Sequence, residues 1–227
     1  MALDFEAFEQ VPRRSLVSHV EAQIRDALVE GRLAPGTRLV TKELADRLGT
    51  SITPAREALV RFAASGILAA EPASSFRVPE LTEERHEEIR LIRKRVEGLA
   101  AEMATQRIAD EGIARLEAQI AAYTDLRHAP DLHLALKANK ELRFTLYAAA
   151  GMPVLLQLIE TLWLRAGPGF AYLPRSIGAA GEDHQNYTHL VQALRARDSL
   201  AASAAIMRAI DDGADQVLSA LRRRQEA

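Results

Sequence analysis

Thr41-Lys42-Glu43-Leu44-Ala45-Asp46-Arg47-Leu48-Gly49-Thr50-Ser51-Ile52-Thr53-Pro54-Ala55-Arg56-Glu57-Ala58-Leu59 is the stretch on which the fold of the first third of this chain turns. Leu44, Ala45 and Leu48 share one face of a short helix, which Thr41 can cap and Gly49 closes. Ser51 can cap a second helix over roughly 52–65, where Ala55, Ala58, Leu59 and Phe62 repeat at i, i+3, i+4, i+7. Pro54 falls in its first turn, where a missing N–H costs nothing, and Gly66 stops it. The reading is two helices joined by a tight turn.

Working outward, Val17, Val20, Ile24, Ala27 and Leu28 line one face of a preceding helix from Ser15 to Glu30. Gly31 ends that helix, and Leu33-Ala34-Pro35-Gly36-Thr37 reads as a turn. On the other side, the apolar runs Ile67–Ala70 and Phe76–Pro79 flank Glu71-Pro72-Ala73-Ser74-Ser75 and predict a small hairpin. Helix, tight turn, helix, hairpin is the pattern of a winged helix-turn-helix, placed here at residues 11–79. In that motif the second helix of the pair enters the major groove of DNA and the hairpin touches the flanking backbone.

After Pro79 the pattern becomes wholly helical. Thr82 can cap a helix opening with Glu83 and Glu84, whose predicted apolar stripe is Ile89, Ile92, Val96, Leu99 or Ala100, and Met103. Further helices are expected at about 110–127, 131–150, 153–166, 182–197 and 198–224, with a Gly/Pro-punctuated loop between Ala166 and Gly181. The predicted fold class is mostly α: the winged helix-turn-helix, then an all-α helical bundle over residues 80–224.

Composition fits two domains. The 227 residues are 48% hydrophobic, enough for real cores. The chain has no cysteine, so disulfides and thiolate metal sites are excluded. Residues 11–79 hold ten Lys/Arg against seven Asp/Glu, whereas 80–227 hold nineteen against twenty-one. A mildly basic module on a neutral partner fits nucleic-acid binding, although ordinary surface variation produces the same imbalance. The first ten residues are acidic without an apolar leader region, and no apolar run approaches a membrane span. A cytoplasmic protein without a membrane partner is expected.

Pro35-Gly36-Thr37-Arg38-Leu39, Glu43-Leu44-Ala45-Asp46-Arg47-Leu48-Gly49 and Thr53-Pro54-Ala55-Arg56-Glu57-Ala58-Leu59 resemble the GntR superfamily DNA-binding domain. Arg93-Lys94-Arg95-Val96-Glu97-Gly98-Leu99-Ala100-Ala101 and Ala193-Leu194-Arg195-Ala196-Arg197-Asp198 look like the helical effector domain of its FadR-type branch, especially VanR-like members. The resemblance implies a homodimeric regulator that reads double-stranded operator DNA and responds to a small-molecule effector, an organic acid or similar anion. By the same resemblance, Lys42, Ser51 and Arg56 become DNA contacts. Thr53 suits a phosphate, and Arg38, Arg61 and Arg77 are candidates for backbone contacts. Ile52 stands where relatives commonly carry Arg; it can meet a thymine methyl or simply pack. The wing lacks the usual glycine.

Many relatives hold a divalent metal with one Asp and three His in the effector core. Alignment on Phe144–Gly151 and on Ala193–Asp198 puts Asn139, Arg143, Tyr187 and Ala209 at those four positions. None is a metal ligand of normal strength, so no metal cofactor is expected. His133, His184 and His189 are the candidates for a shifted site, but the five-residue separation of the last two suits a shared helical face poorly. Arg143 is instead expected to supply the fixed positive charge and bind an anion, with Arg93 as a second clamp and Asn139 and Tyr187 as hydrogen-bonding partners. The alternative is that Arg143 pairs internally with a carboxylate such as Glu97. The rival function, an all-helical enzyme with a winged-helix docking module, needs an activated nucleophile. Ser176, Ser199 and Ser203 have no activating neighbour in sequence.

Overall fold

The computed structural model describes residues 13–174 and 185–225, arranged as two compact units. Among the described residues, one comprises 13–26 together with Gly36–Pro79; the other takes Ala27–Pro35 and the residues from Glu80 onward. Residues 27–35, read from sequence as part of the first domain, group with the helical unit.

In the first unit, α1 (Arg13–Val29) contributes Val17, Val20 and Ile24 to a core shared with Ala45, Leu59, Phe62, Leu68, Phe76 and Val78. The helix pair is α2 (Thr41–Arg47) and α3 (Ile52–Ala64). A strand absent from the sequence reading, β1 (Arg38–Val40), joins β2 (Ala69–Glu71) and β3 (Ser75–Arg77) in an antiparallel sheet ordered β1-β3-β2. Three residues are too few to show alternation, which is why β1 was invisible. Its companion feature corrects a cap. The helix α2 is capped at Val40, and Thr41 is buried with its hydroxyl donating to the Ser74 carbonyl at 2.7 Å. Thr41 ties the helix pair to the wing. Ser51 does occupy the N-cap of α3, but its side chain makes no cap hydrogen bond.

The second unit follows the helical expectation closely: α4 (Glu83–Arg107), α5 (Asp110–Arg127), α6 (Leu132–Ala149), α7 (Pro153–Ala166), α8 (Gln185–Ala196) and α9 (Ser199–Gln225). Thr82 caps α4 by accepting from the Arg85 amide. The expected loop after Ala166 begins instead as a 3₁₀ helix, Gly167–Tyr172; residues 175–184 lie outside the described part. Glycine is required at 167, because a Cβ there would sit 2.4 Å from the Leu28 carbonyl oxygen.

The central helix, α4, packs on α9, α7 and α6. Its buried face overlaps the predicted stripe only at Ile89 and Ala100. Ile92 and Leu99 are 42% and 40% exposed, and Val96 and Met103 are half-buried. Beside Ile89 and Ala100, the core receives Arg93, Glu97, Gly98, Ala101 and Ala104. Small residues win that face because α9 comes close: a Cβ at Gly98 would lie 2.9 Å from Ser203 Oγ. Ion pairs fasten the same two helices, Arg90 to Asp211 and Asp215 at 2.8 Å each and Lys94 to Asp211 at 2.6 Å.

Candidate functional site

The first unit presents an exposed surface around the start of α3. Ala55, Ala58, Leu59 and Phe62 turn inward, leaving Ser51, Ile52, Thr53 and Arg56 exposed in its first turns. Arg56 and Lys42 (exposed, on α2) make no hydrogen bond or ion pair among the described residues. The other three candidate arginines are engaged. Arg61 pairs with Glu21 and Glu57, at 3.0 and 2.7 Å. Arg77 donates to Glu71 and the Gly36 carbonyl, and its bond to Glu71 is the main cause of that carboxyl's lowered pKa. Arg38 donates to Ser75 Oγ at 3.2 Å and lies 3.7 Å from Glu71. The seven candidates thus divide into four exposed, uncommitted positions, Lys42, Ser51, Thr53 and Arg56, which Ile52 adjoins, and three arginines already held by the wing or by α1 and α3. At the wing tip, Ala73 and Ser74 adopt left-handed backbone, φ 58° and 55°, without glycine.

In the second unit, the four predicted ligand residues meet in one buried network. Arg93 on α4 donates to Glu97 Oε1 at 2.7 Å, and the Tyr147 hydroxyl donates a short bond to Glu97 Oε2. Arg143 on α6 donates to the hydroxyls of Tyr147 and Tyr187, both at 3.0 Å, and its Nη1 lies 3.7 Å from Glu97. Tyr187 on α8 in turn donates to Asn139 Oδ1 at 2.5 Å. Arg143 therefore does pair internally, the alternative left open by the sequence. Burial works against its charge, yet Tyr147, Tyr187 and Glu97 hold its pKa above the ordinary range. Glu97 is the physical counter-ion among them. The phenol of Tyr147 is itself pushed well up, first by burial, and stays a neutral donor.

Two small cavities flank this network, each enclosing about 50 Å³ of water-accessible space. One is bordered by Arg93, Arg143, Trp163 and His86, the other by Tyr123 and Tyr187; both touch Asn139, Ala209 and Gly213. All four positions that the resemblance aligns with metal ligands, Asn139, Arg143, Tyr187 and Ala209, therefore border this space. A Cβ at Gly213 would meet nothing within 4 Å. The sequence reading missed Trp163. It is 2% exposed, Arg93 lies over its ring at 5.0 Å, and its indole N–H has no hydrogen-bond partner among the described residues. No sequence signal marks an unpartnered donor. Burial lowers the His86 pKa from 6.5, only partly offset by its 2.9 Å bond to the Ala214 carbonyl, so this imidazole is neutral at pH 7.

These residues do not fit a divalent cation. One amide oxygen and one phenol are poor ligands, and the Arg143 guanidinium would repel the ion. Among the described residues no three His, Cys, Asp or Glu cluster as metal ligands. His133 is exposed and bonds the Glu30 carbonyl, His189 is exposed, and His184 lies outside the described residues. Ser203 faces Met207 and bonds no base among the described residues; Ser176 lies outside the described part. No helix among the described residues is long and apolar enough to cross a membrane.

A DNA-reading head with a helical sensor domain is the class these two sites define, and the comparisons agree. Residues 16–78 match the model of the bacterial regulatory proteins of the gntR family, and residues 88–212 match the FCD domain. The chain belongs to the GntR family of transcription regulators, in its FCD-containing, FadR-type branch. It is 37% identical over 186 residues to the HTH-type transcriptional regulator McbR of Escherichia coli (strain K12), covering 81% of this chain and 84% of McbR. The solved structure of E. coli McbR/YncC has a TM-score of 0.86 at 33% identity, over 90% of this chain and 97% of that one. A GntR regulator structure from Rhodococcus sp. RHA1 has a TM-score of 0.72 over 90% of this chain and 98% of that one; at 21% identity it bears on the fold alone.

Proposed function

We propose that this regulator binds an inverted-repeat operator as a cytoplasmic homodimer, and that a small organic monoanion, held without metal beside Arg93 and Arg143, sets its operator affinity. The observation that carries the ligand reading is a charge imbalance. Two buried guanidiniums, Arg93 and Arg143, share one buried carboxylate, Glu97. His86 adds no charge, and Arg90, which also borders the cavity, is met by Asp211 and Asp215. Among the described residues, one positive charge is left over beside a cavity that also borders an indole N–H with no partner there. A buried charge is costly without a partner, and a carboxylate would meet both the guanidinium and the indole. The space fits a small ligand: each lobe has room for about three to five waters.

Dimerisation is supported by α4 and α7, which pack together. The first leaves Leu91, Ile92 and Leu99 exposed and the second Val154 and Leu158, an apolar surface suited to a second copy. The ligand acts through its different affinity for two arrangements of the dimer, and α4, which borders its cavity, is the helix that opens the sensor domain.

Fluorescence anisotropy on duplexes spanning the DNA upstream of the protein's own gene tests the regulator reading. Specific binding that weakens steeply with salt is expected; its absence at micromolar protein overturns the reading. Thermal shifts with a panel of small carboxylates, amides and amines test the ligand class. A carboxylate should stabilise the wild type and lose most of that effect in Trp163→Phe, which keeps the ring and deletes the N–H. Stabilisation by amines alone would reject the anion. Metal analysis of the purified protein should find less than one tightly bound ion per chain.

A further inference from the structure

Ile52 is 52% exposed in the first turn of α3, a 13-residue helix whose core face is fully supplied by Pro54, Ala55, Ala58, Leu59 and Phe62. Packing, one of the two roles open to it from sequence, is therefore taken by other residues. Helix propensity does not call for it either, because a β-branched residue is a mediocre helix former. Its neighbours Ser51, Thr53 and Arg56 are polar and exposed, and each suits a phosphate or a hydrogen-bonding base edge. Ile52 suits neither. In the major groove the C5 methyl of thymine is the one apolar group on a base edge. A β-branched side chain, short and stiff at χ1, holds its methyl groups at a fixed height above the helix.

We propose that Ile52 is a thymine-reading residue, which makes the operator half-site specific for a methyl group at one defined base pair. This rests on the DNA-binding reading above. The geometry also sets the neighbour. Arg56 lies one helical turn further along the same face, about 6 Å by helical rise. With bases stacked about 3.4 Å apart, a guanine read by Arg56 falls within about two steps of that thymine. The half-site is thus expected to contain a T and a G in close register, contacted through chemically opposite side chains.

The test begins with selection of tight-binding duplexes from a random pool by the full-length wild-type protein. Each thymine of the selected duplex is then replaced by deoxyuridine, which removes only the C5 methyl. One symmetry-related thymine in each half-site should weaken binding about fourfold when demethylated, the loss that burial of one methyl-sized group predicts. The remaining thymines should be indifferent. Ile52→Ala should bind thymine and deoxyuridine duplexes equally, and Ile52→Arg should shift the selected base at that position from T to G. A flat deoxyuridine profile for the wild type, or the same sensitive thymine in Ile52→Ala, overturns the inference while leaving the regulator reading intact. If no duplex is selected at all, the regulator reading fails, and this inference with it.

Discussion

Arginine has two different existences in this molecule. Around the start of α3, Arg56 stands in solvent with no partner among the described residues, while in the sensor domain Arg143 is 2% exposed and held by two tyrosines and a glutamate. An exposed guanidinium keeps its hydration until a polyanion arrives, so its energy appears in binding and in salt dependence. A buried one must be compensated before any ligand comes, so its energy appears in folding. The same side chain therefore reports on recognition in one unit and on stability in the other.

The sharpest way to break this contrast is Glu97→Gln. It leaves Arg93 and Arg143 without their shared carboxylate and should lower the unfolding free energy in urea by about 3–5 kcal/mol. Adding Arg143→Met to that variant should recover part of the loss, since the uncompensated charge then falls by one. In the head, Arg56→Ala should cost about 1–3 kcal/mol of operator binding and leave the melting temperature unchanged. Arg61→Ala should cost less binding than Arg56→Ala in the same anisotropy titration, because Glu21 and Glu57 already hold that guanidinium.

A smaller effect should come from His86. Its folded pKa is lowered by burial, so between that value and the ordinary 6.5 the unfolded chain binds the extra proton and the folded one resists it. Stability contributed by the neutral ring is complete above pH 6.5 and drains as pH falls below it. Melting temperatures should decline from pH 7 toward 5, and His86→Gln should flatten that slope. The smallest change is expected at the wing tip, where Ala73→Gly relieves a left-handed backbone and should gain about 0.5–1 kcal/mol.

Much of the architecture was legible because local signals agreed with each other. The helices expected at about 110–127 and 153–166 are α5 and α7, with Asp110 and Glu111 in the first turn of one and Pro153 opening the other. The face of α4 was legible only in part, for a physical reason. Periodicity finds the apolar stripe Ile89, Ile92, Val96, Leu99 or Ala100, and Met103; Ile89 and Ala100 do lie in the core, but an apolar stripe says only that something covers it, and among the described residues of this chain nothing fully covers Ile92, Val96, Leu99 or Met103. The true core face carries Arg93 and Glu97, whose burial becomes affordable only through Tyr147 and Arg143, far away in sequence. Positions 139, 143 and 187 could be named because motif spacing carried them over. Trp163 could not, since a missing partner is a property of three-dimensional surroundings alone.

Gly213 carries a last consequence. It sits mid-way along the 27-residue α9, where alanine would be the better helix former, it borders both cavities, and a Cβ on it would meet nothing within 4 Å. Side-chain bulk can thus be added beside both cavities at one backbone position outside the polar network. A graded series at 213, from alanine through valine to leucine, amounts to a sieve of decreasing mesh. It would convert this sensor into a ruler for the size of whatever molecule it admits.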